Sequence, residues 1–138
     1  MSVRMGDDDD ASSEAGGERP ASGHVAWLVE LVVQPGRVRE LRGVTAEMVA
    51  VAQREPGTIS YLRFFSADAT MLHGFEVYEN AAAAVLHLET FNDRFAGPFL
   101  ALAHRQRCTV YGDTSIALRR LLHPLRPTYF AASTGFWA

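Results

Sequence analysis

Ten consecutive residues, HVAWLVELVV (24–33), carry one charge, Glu30, and are apolar at odd and even positions alike. A strand faces two ways with a period of two, so a half-exposed strand alternates. This one is built to be covered on both sides. The chain has 138 residues, enough for one ordinary domain but with too few helices to cover a sheet on both faces. A second copy of the sheet is the economical cover, so the sequence predicts a homodimer.

The remaining elements follow from punctuation and periodicity. Gln34-Pro35-Gly36 ends the first strand. Val38, Leu41, Val44, Met48, Val51 and Ala52 then recur at helical spacing between Arg37 and Glu55, where Pro56-Gly57 stops the helix. TISYLRFFS (58–66) and TMLHGFEVY (70–78) read as a β-hairpin across a short polar link. Asn80 is placed to cap a helix running to about Thr90. Phe91–His104 reads as a separate short helix broken near Gly97-Pro98. RQRCTVYG (105–112) is a fourth strand, and Asp113 or Thr114 would cap a last helix to about Leu122. The end, HPLRPTYFAASTGFWA, has no periodicity but many aromatics, which pack on a partner subunit or line a ligand pocket. The order β-α-β-β-α-β is that of an α+β ferredoxin-like split unit. It predicts a four-stranded antiparallel sheet with helices on one face.

Charge separates the chain into a lead and a body. Met1–Gly23 holds six acidic residues against Arg4 and Arg19, with almost nothing to bury, and reads as a disordered acidic tail (1–23). The body comprises the ferredoxin-like domain, 24–112, and a C-terminal helix with its aromatic extension, 113–138. It has ten acidic residues against eleven arginines, so no basic stripe speaks for nucleic acid. No apolar run approaches the ~20 residues of a membrane span, and a cytoplasmic setting is the default. A single cysteine, Cys108, excludes an internal disulfide and offers no metal-ligand spacing. With no Gly-rich phosphate loop and no His/Cys/carboxylate cluster at ligand spacing, the sequence predicts no metal and no cofactor.

Three segments carry a family resemblance: the VVQPG turn (32–36), EPGTISY (55–61) and FEVYENAAAAVLHLETF (75–91). Glu55 and Gly57, then Glu76, Tyr78 and Glu79, then His87 and Leu88 match the pattern of a helix-ending Glu-x-Gly, an E-x-[W/Y]-E segment and a His-Leu pair. Over roughly Ala26–Tyr111 the chain resembles the antibiotic biosynthesis monooxygenase family, whose members are dimeric α+β barrels. The resemblance implies a barrel formed by two sheets. It also implies either quinol or anthrone oxygenation without metal or flavin, or haem degradation. The haem-degrading branch uses an Asn, a Trp and a His where this chain has Val29, His87 and Gly97, so that branch is disfavoured.

Cofactor-free oxygenation needs a substrate that becomes an electron-rich phenolate or enolate, because triplet O₂ reacts poorly with closed-shell molecules. The protein supplies a base, a fixed pose and a dry cavity. His87 is the first candidate base, on a helix face with Ala84, Leu88 and Phe91; a core-edge histidine bonded to backbone is the plainer reading. Tyr78 and Glu76 share one face of their strand and could orient a substrate hydroxyl, although Glu76 could equally pair with Arg63. His73 points the other way, as a second base or an interface residue. Trp27, Phe65 and Arg63 could contact an aromatic ligand, though core packing accounts for such aromatics too. The expected function is O₂-dependent monooxygenation of a hydroxylated aromatic. The alternatives are a non-catalytic dimeric module that binds a small aromatic or serves as a scaffold, and a cyclase or isomerase on similar substrates.

Overall fold

Residues 23–138 are described by a computed structural model; the expected acidic tail falls on residues outside these, Gly23 excepted. Five strands and four α-helices follow one another: β1 (Val25–Val33), α1 (Val38–Ala52), β2 (Thr58–Phe65), β3 (Met71–Tyr78), α2 (Ala81–Arg94), α3 (Ala96–Leu100), β4 (Ala103–Gly112), α4 (Ile116–Leu122) and β5 (Thr128–Phe130). A 3₁₀ turn, His123–Leu125, joins the last two. The strands lie in the order β2-β3-β1-β4-β5. β1 occupies the centre, antiparallel to β3 on one side and β4 on the other.

The sheet differs from the expected four antiparallel strands. It has five, and β5 runs parallel to β4, with Thr109, Val110 and Tyr111 beside Thr128, Tyr129 and Phe130. Three residues are too few to show a period of two, so the strand exists only through long-range support. Arg105 supplies it from β4, donating to the carbonyls of Leu125 and Arg126. Arg126 itself turns the chain in the left-handed region. Arg119 covers the Tyr129 ring at 3.8 Å.

Two helix boundaries also differ from expectation. Ser115, not Asp113 or Thr114, caps α4 by accepting from the Leu118 amide. α2 runs through Phe91 to Arg94, and the break falls at Phe95. Gly97-Pro98 therefore lies in the first turn of α3, where proline's missing N–H is no loss. Asn80 caps α2, accepting from the Ala83 amide at 2.9 Å.

Helices cover one face of the sheet. Val25, Trp27, Val29, Leu31 and Val33 point into that layer with Leu72, Tyr78, Cys108 and Val110, against Leu41, Met48, Ala84, Leu88, Leu118 and Leu122. The other face carries Leu28, Glu30 and Val32 from β1, flanked by Phe75 and His73 on β3, and by Thr109 and Arg107 on β4. Beyond them, Leu62 (47% exposed) and Phe64 (54%) complete an open apolar surface on β2. One side of β1 is thus packed as its sequence requires and the other is bare within a protomer.

The α1–β2 turn depends on Gly57. Its φ is +86°, and a Cβ placed there would lie 2.6 Å from the Ala83 Cβ in the first turn of α2. Gly57→Ala therefore adds left-handed strain and forces two elements apart. We expect it to cost about 2 kcal/mol or more, measured as a lowered midpoint in denaturant at unchanged m-value.

Candidate functional site

Among the described residues, the buried side chains of the helix-covered face are apolar apart from Thr45 on α1 and one cluster. Glu76 and Tyr78 on β3, Tyr61 and Arg63 on β2, Glu55 in the α1–β2 turn and His87 on α2 meet there. Cross-strand register puts Tyr61 beside Glu76 and Arg63 beside Gly74, and the helical phase of Ala84, His87 and Leu88 turns the imidazole down onto them.

Glu76 is the hub. It is buried, and its Oε2 accepts from Arg63 Nη2 at 2.7 Å while its Oε1 accepts from the Tyr78 hydroxyl at 2.7 Å. Burial alone would push this carboxyl up. Arg63, the nearby His87 and the Tyr78 hydroxyl outweigh it and hold Glu76 below the usual carboxylate range. Burial likewise opposes the Arg63 charge, yet Glu76 and Tyr61 keep the guanidinium above its ordinary value. Tyr78 is pushed far up, first by burial and then by the Glu76 charge beside it. Tyr61 is raised for the same two reasons. Both phenols stay protonated at neutral pH. The guanidinium fits because position 74 is glycine: a Cβ there would stand 2.6 Å from Arg63 Nη1. Arg63 also lies over the Tyr61 ring, 3.7 Å from its centroid, and donates to the Leu62 carbonyl.

His87 sits between two carboxylates. Its Nδ1–H donates to Glu55 Oε1 at 2.8 Å, and its Nε2 lies 3.6 Å from Glu76 Oε1. Thr58 Oγ1 donates to the same Glu55 oxygen at 3.1 Å. The ring is held edge-on to Tyr61, with centroids 5.1 Å apart, and tilted against Tyr78 at 5.2 Å. The Glu55 bond to Nδ1 assigns the tautomer and leaves Nε2 as the nitrogen with a lone pair in the neutral ring. A histidine oriented by a carboxylate through one nitrogen, with its lone pair on the other, is the arrangement from which protons are moved; here that lone pair faces Glu76.

The sequence-derived candidates divide accordingly. His87, Tyr78, Glu76 and Arg63 come together; the Arg63–Glu76 pair forms within one protomer. Trp27 lies beneath them, 1% exposed and packed on Tyr78 at 4.8 Å. Phe65 faces the same layer, farther along β2, with Arg42 over its ring at 4.2 Å. His73 is on the opposite face, 4.0 Å from Glu30. Burial drives the Cys108 thiol up to about 12, and the charge of Glu76 adds to the effect, so it is no nucleophile at neutral pH. Tyr61, two residues before Arg63 on β2, was readable from strand alternation. Glu55 belongs to the helix-ending Glu-x-Gly pattern, but it reaches His87 across 32 positions of sequence, and no periodicity gives that contact. Among the described residues, no group of three or more His, Cys, Asp or Glu side chains is disposed to hold a metal ion, and no helix is long and apolar enough to cross a membrane.

By sequence the chain matches no family profile and no curated protein. By structure it is similar to MupZ from Pseudomonas fluorescens, at TM-score 0.74 and 21% identity over 83% of this chain and 94% of that one. A Nitrosomonas europaea protein, provisionally called an antibiotic biosynthesis monooxygenase, matches at TM-score 0.58 and 21% identity over 66% of this chain and 90% of its own. SnoaB, a cofactor-independent oxygenase from Streptomyces nogalater, matches at TM-score 0.57 and 19% identity over 67% and 95%. The chain has the α+β fold these proteins share. The likeness to MupZ extends over more of the chain than the other two.

Removing one partner of a buried ion pair strands the other, at about 3–5 kcal/mol, so Arg63→Ala should destabilise strongly while Arg39→Ala, exposed on α1, should not. Glu76 has a lowered folded pKa, so its contribution is present above the unfolded carboxylate value near ~4.3 and is lost as pH falls through the lower folded value. Thermal melts between pH 6 and 3 on wild type and Glu76→Gln should show the wild type losing its advantage below that point.

Proposed function

We propose that this chain is an acid–base enzyme in which His87, oriented by Glu55, takes a proton from a hydroxylated small molecule, and that the resulting anion reacts with O₂ without a cofactor. The observation that carries the reading is the His87 ring held by Glu55 through Nδ1, with Nε2 directed at a second, ionised carboxylate. When Nε2 accepts the proton, the imidazolium lies between Glu55 and Glu76, so charge formed in the reaction is met by groups already in place. Tyr61, protonated, can donate to a substrate oxygen; Tyr78, also protonated, already gives its hydrogen to Glu76, and neither can act as a base. A phenol or quinol becomes a one-electron donor to O₂ once deprotonated. Oxygenation without a cofactor is what is said of SnoaB.

A second reading is favoured by the same cluster. Carboxylates, an imidazole and phenols make a complete proton-transfer set that needs no oxidant, which suits a cyclase or isomerase. Oxygen consumption separates the two. A panel of quinols and anthrones is turned over aerobically, with O₂ uptake recorded, and again under nitrogen. Turnover only in air supports oxygenation, turnover in both atmospheres supports the redox-neutral reaction, and turnover in neither supports the binding module.

The bare sheet face calls for a second copy of the chain, as the two-sided β1 predicts. Isologous packing would cover Leu28, Leu62, Phe64 and Phe75 and close the two sheets into a barrel. Sedimentation equilibrium should give twice the chain mass at micromolar concentration; a stable folded protomer would defeat the assembly.

His87→Gln retains bulk and a hydrogen bond but no base. It should lower kcat by ~10²–10⁴-fold, with the melting midpoint shifted only a few degrees. Full activity in this variant would place the base elsewhere.

A further inference from the structure

The two oxygens of Glu55 are used unequally. Oε1 accepts from both His87 Nδ1 and Thr58 Oγ1. Oε2 is buried and has no hydrogen-bond partner among the described residues. A carboxylate oxygen left without a donor in the interior is costly, and such atoms are few in native proteins. In the neighbouring carboxylate, Glu76, each oxygen is met by a donor. Arg63 Nε is the other buried atom without a partner, but its guanidinium is already tied to Glu76 and to the Leu62 carbonyl through its other nitrogens.

We infer that Glu55 contacts the bound molecule directly: Oε2 accepts a hydrogen bond from a hydroxyl on the ligand, while Oε1 continues to hold His87. Glu55 is then a specificity-determining residue as well as the orienter of the base. The ligand class is a molecule that presents a donor O–H, and a methyl ether of the same shape is rejected, because it would leave Oε2 buried and unmet beside an ether oxygen. The hydroxyl held by Oε2 gives its hydrogen to Glu55 and so is not the one deprotonated at Nε2, which faces Glu76; it anchors the ligand beside the ring that Oε1 orients. This assignment rests on the reading of His87 and its neighbours as the site.

The probes are 1-naphthol and 1-methoxynaphthalene, titrated into the full-length chain with ¹⁵N-labelled histidine. The His87 ring signals, identified by their loss in His87→Gln, report where the probe binds. Wild type should bind the naphthol about 10–100-fold more tightly than the ether, the worth of a hydrogen bond to a charged acceptor. In Glu55→Gln, an amide N–H₂ can occupy the place of Oε2 and offers a donor, so the preference should vanish or reverse in favour of the ether. A merely structural Glu55 would lower both affinities together, and that outcome overturns the inference. Equal wild-type binding of the two probes, with His87 signals moving, also overturns it and leaves the proton-transfer reading standing. If neither probe moves the His87 signals, the placement of the site itself fails. Should Glu55→Gln not fold, as judged by its circular dichroism melt, the wild-type ratio alone decides.

Discussion

A single buried carboxylate organises the interior. Glu76 lies at the middle of an otherwise apolar layer, and an ionised group there is tolerable only if every lone pair is met and a counter-charge is close. Arg63 provides the charge from the adjacent strand, and Tyr78 provides a hydroxyl from two residues along the same strand. Each of these has its own requirement. The guanidinium needs the space that Gly74 leaves empty, and the Tyr78 ring needs Trp27 as a floor. Removing any one of them would leave the others with unmet polarity, which is why these residues function as a unit.

His87 and Glu55 extend that unit toward the helices. A histidine beside one carboxylate is common; a histidine with a carboxylate at each nitrogen, both drawn from different elements, needs the α1–β2 turn, β3 and α2 to meet at one point. Gly57 makes this possible by letting the turn pass within contact of the first turn of α2. The backbone amide of Glu79 in turn donates to the Gly57 carbonyl at 2.7 Å. The same close approach carries Glu55 to the imidazole. Fold and site are therefore linked through a glycine that touches neither carboxylate–imidazole contact.

The two faces of the sheet serve different ends. The helix-covered face holds the core and its one polar cluster. The bare face is apolar along its length but is interrupted by Glu30, with Arg107 at 3.6 Å and His73 at 4.0 Å. A charge pair among Leu28, Phe64 and Phe75 would fix the register of a partner sheet better than an all-apolar surface.

Most of the architecture was legible because it is local. Period-two and period-3.6 patterns marked β1–β4, α1 and α2, and the two-sided apolarity of 24–33 matches a β1 with one face packed and an apolar face left bare in the protomer. The grouping of Glu76 with Tyr78, opposite His73, followed from the strand period alone. Other features had no local signature. β5 is three residues held by an arginine some twenty positions earlier, and its parallel pairing turned an expected antiparallel sheet into a mixed one. Gly97-Pro98 looked like a break but sits where a helix begins, in the first turn, whose N–H groups have no partner within the helix in any case. Above all, Glu55 enters the site across 32 positions. Periodicity reports which face a residue takes within its own element. Which faces are brought together, and so which carboxylate finds which nitrogen, depends on how the elements pack, and only the tertiary structure decides that.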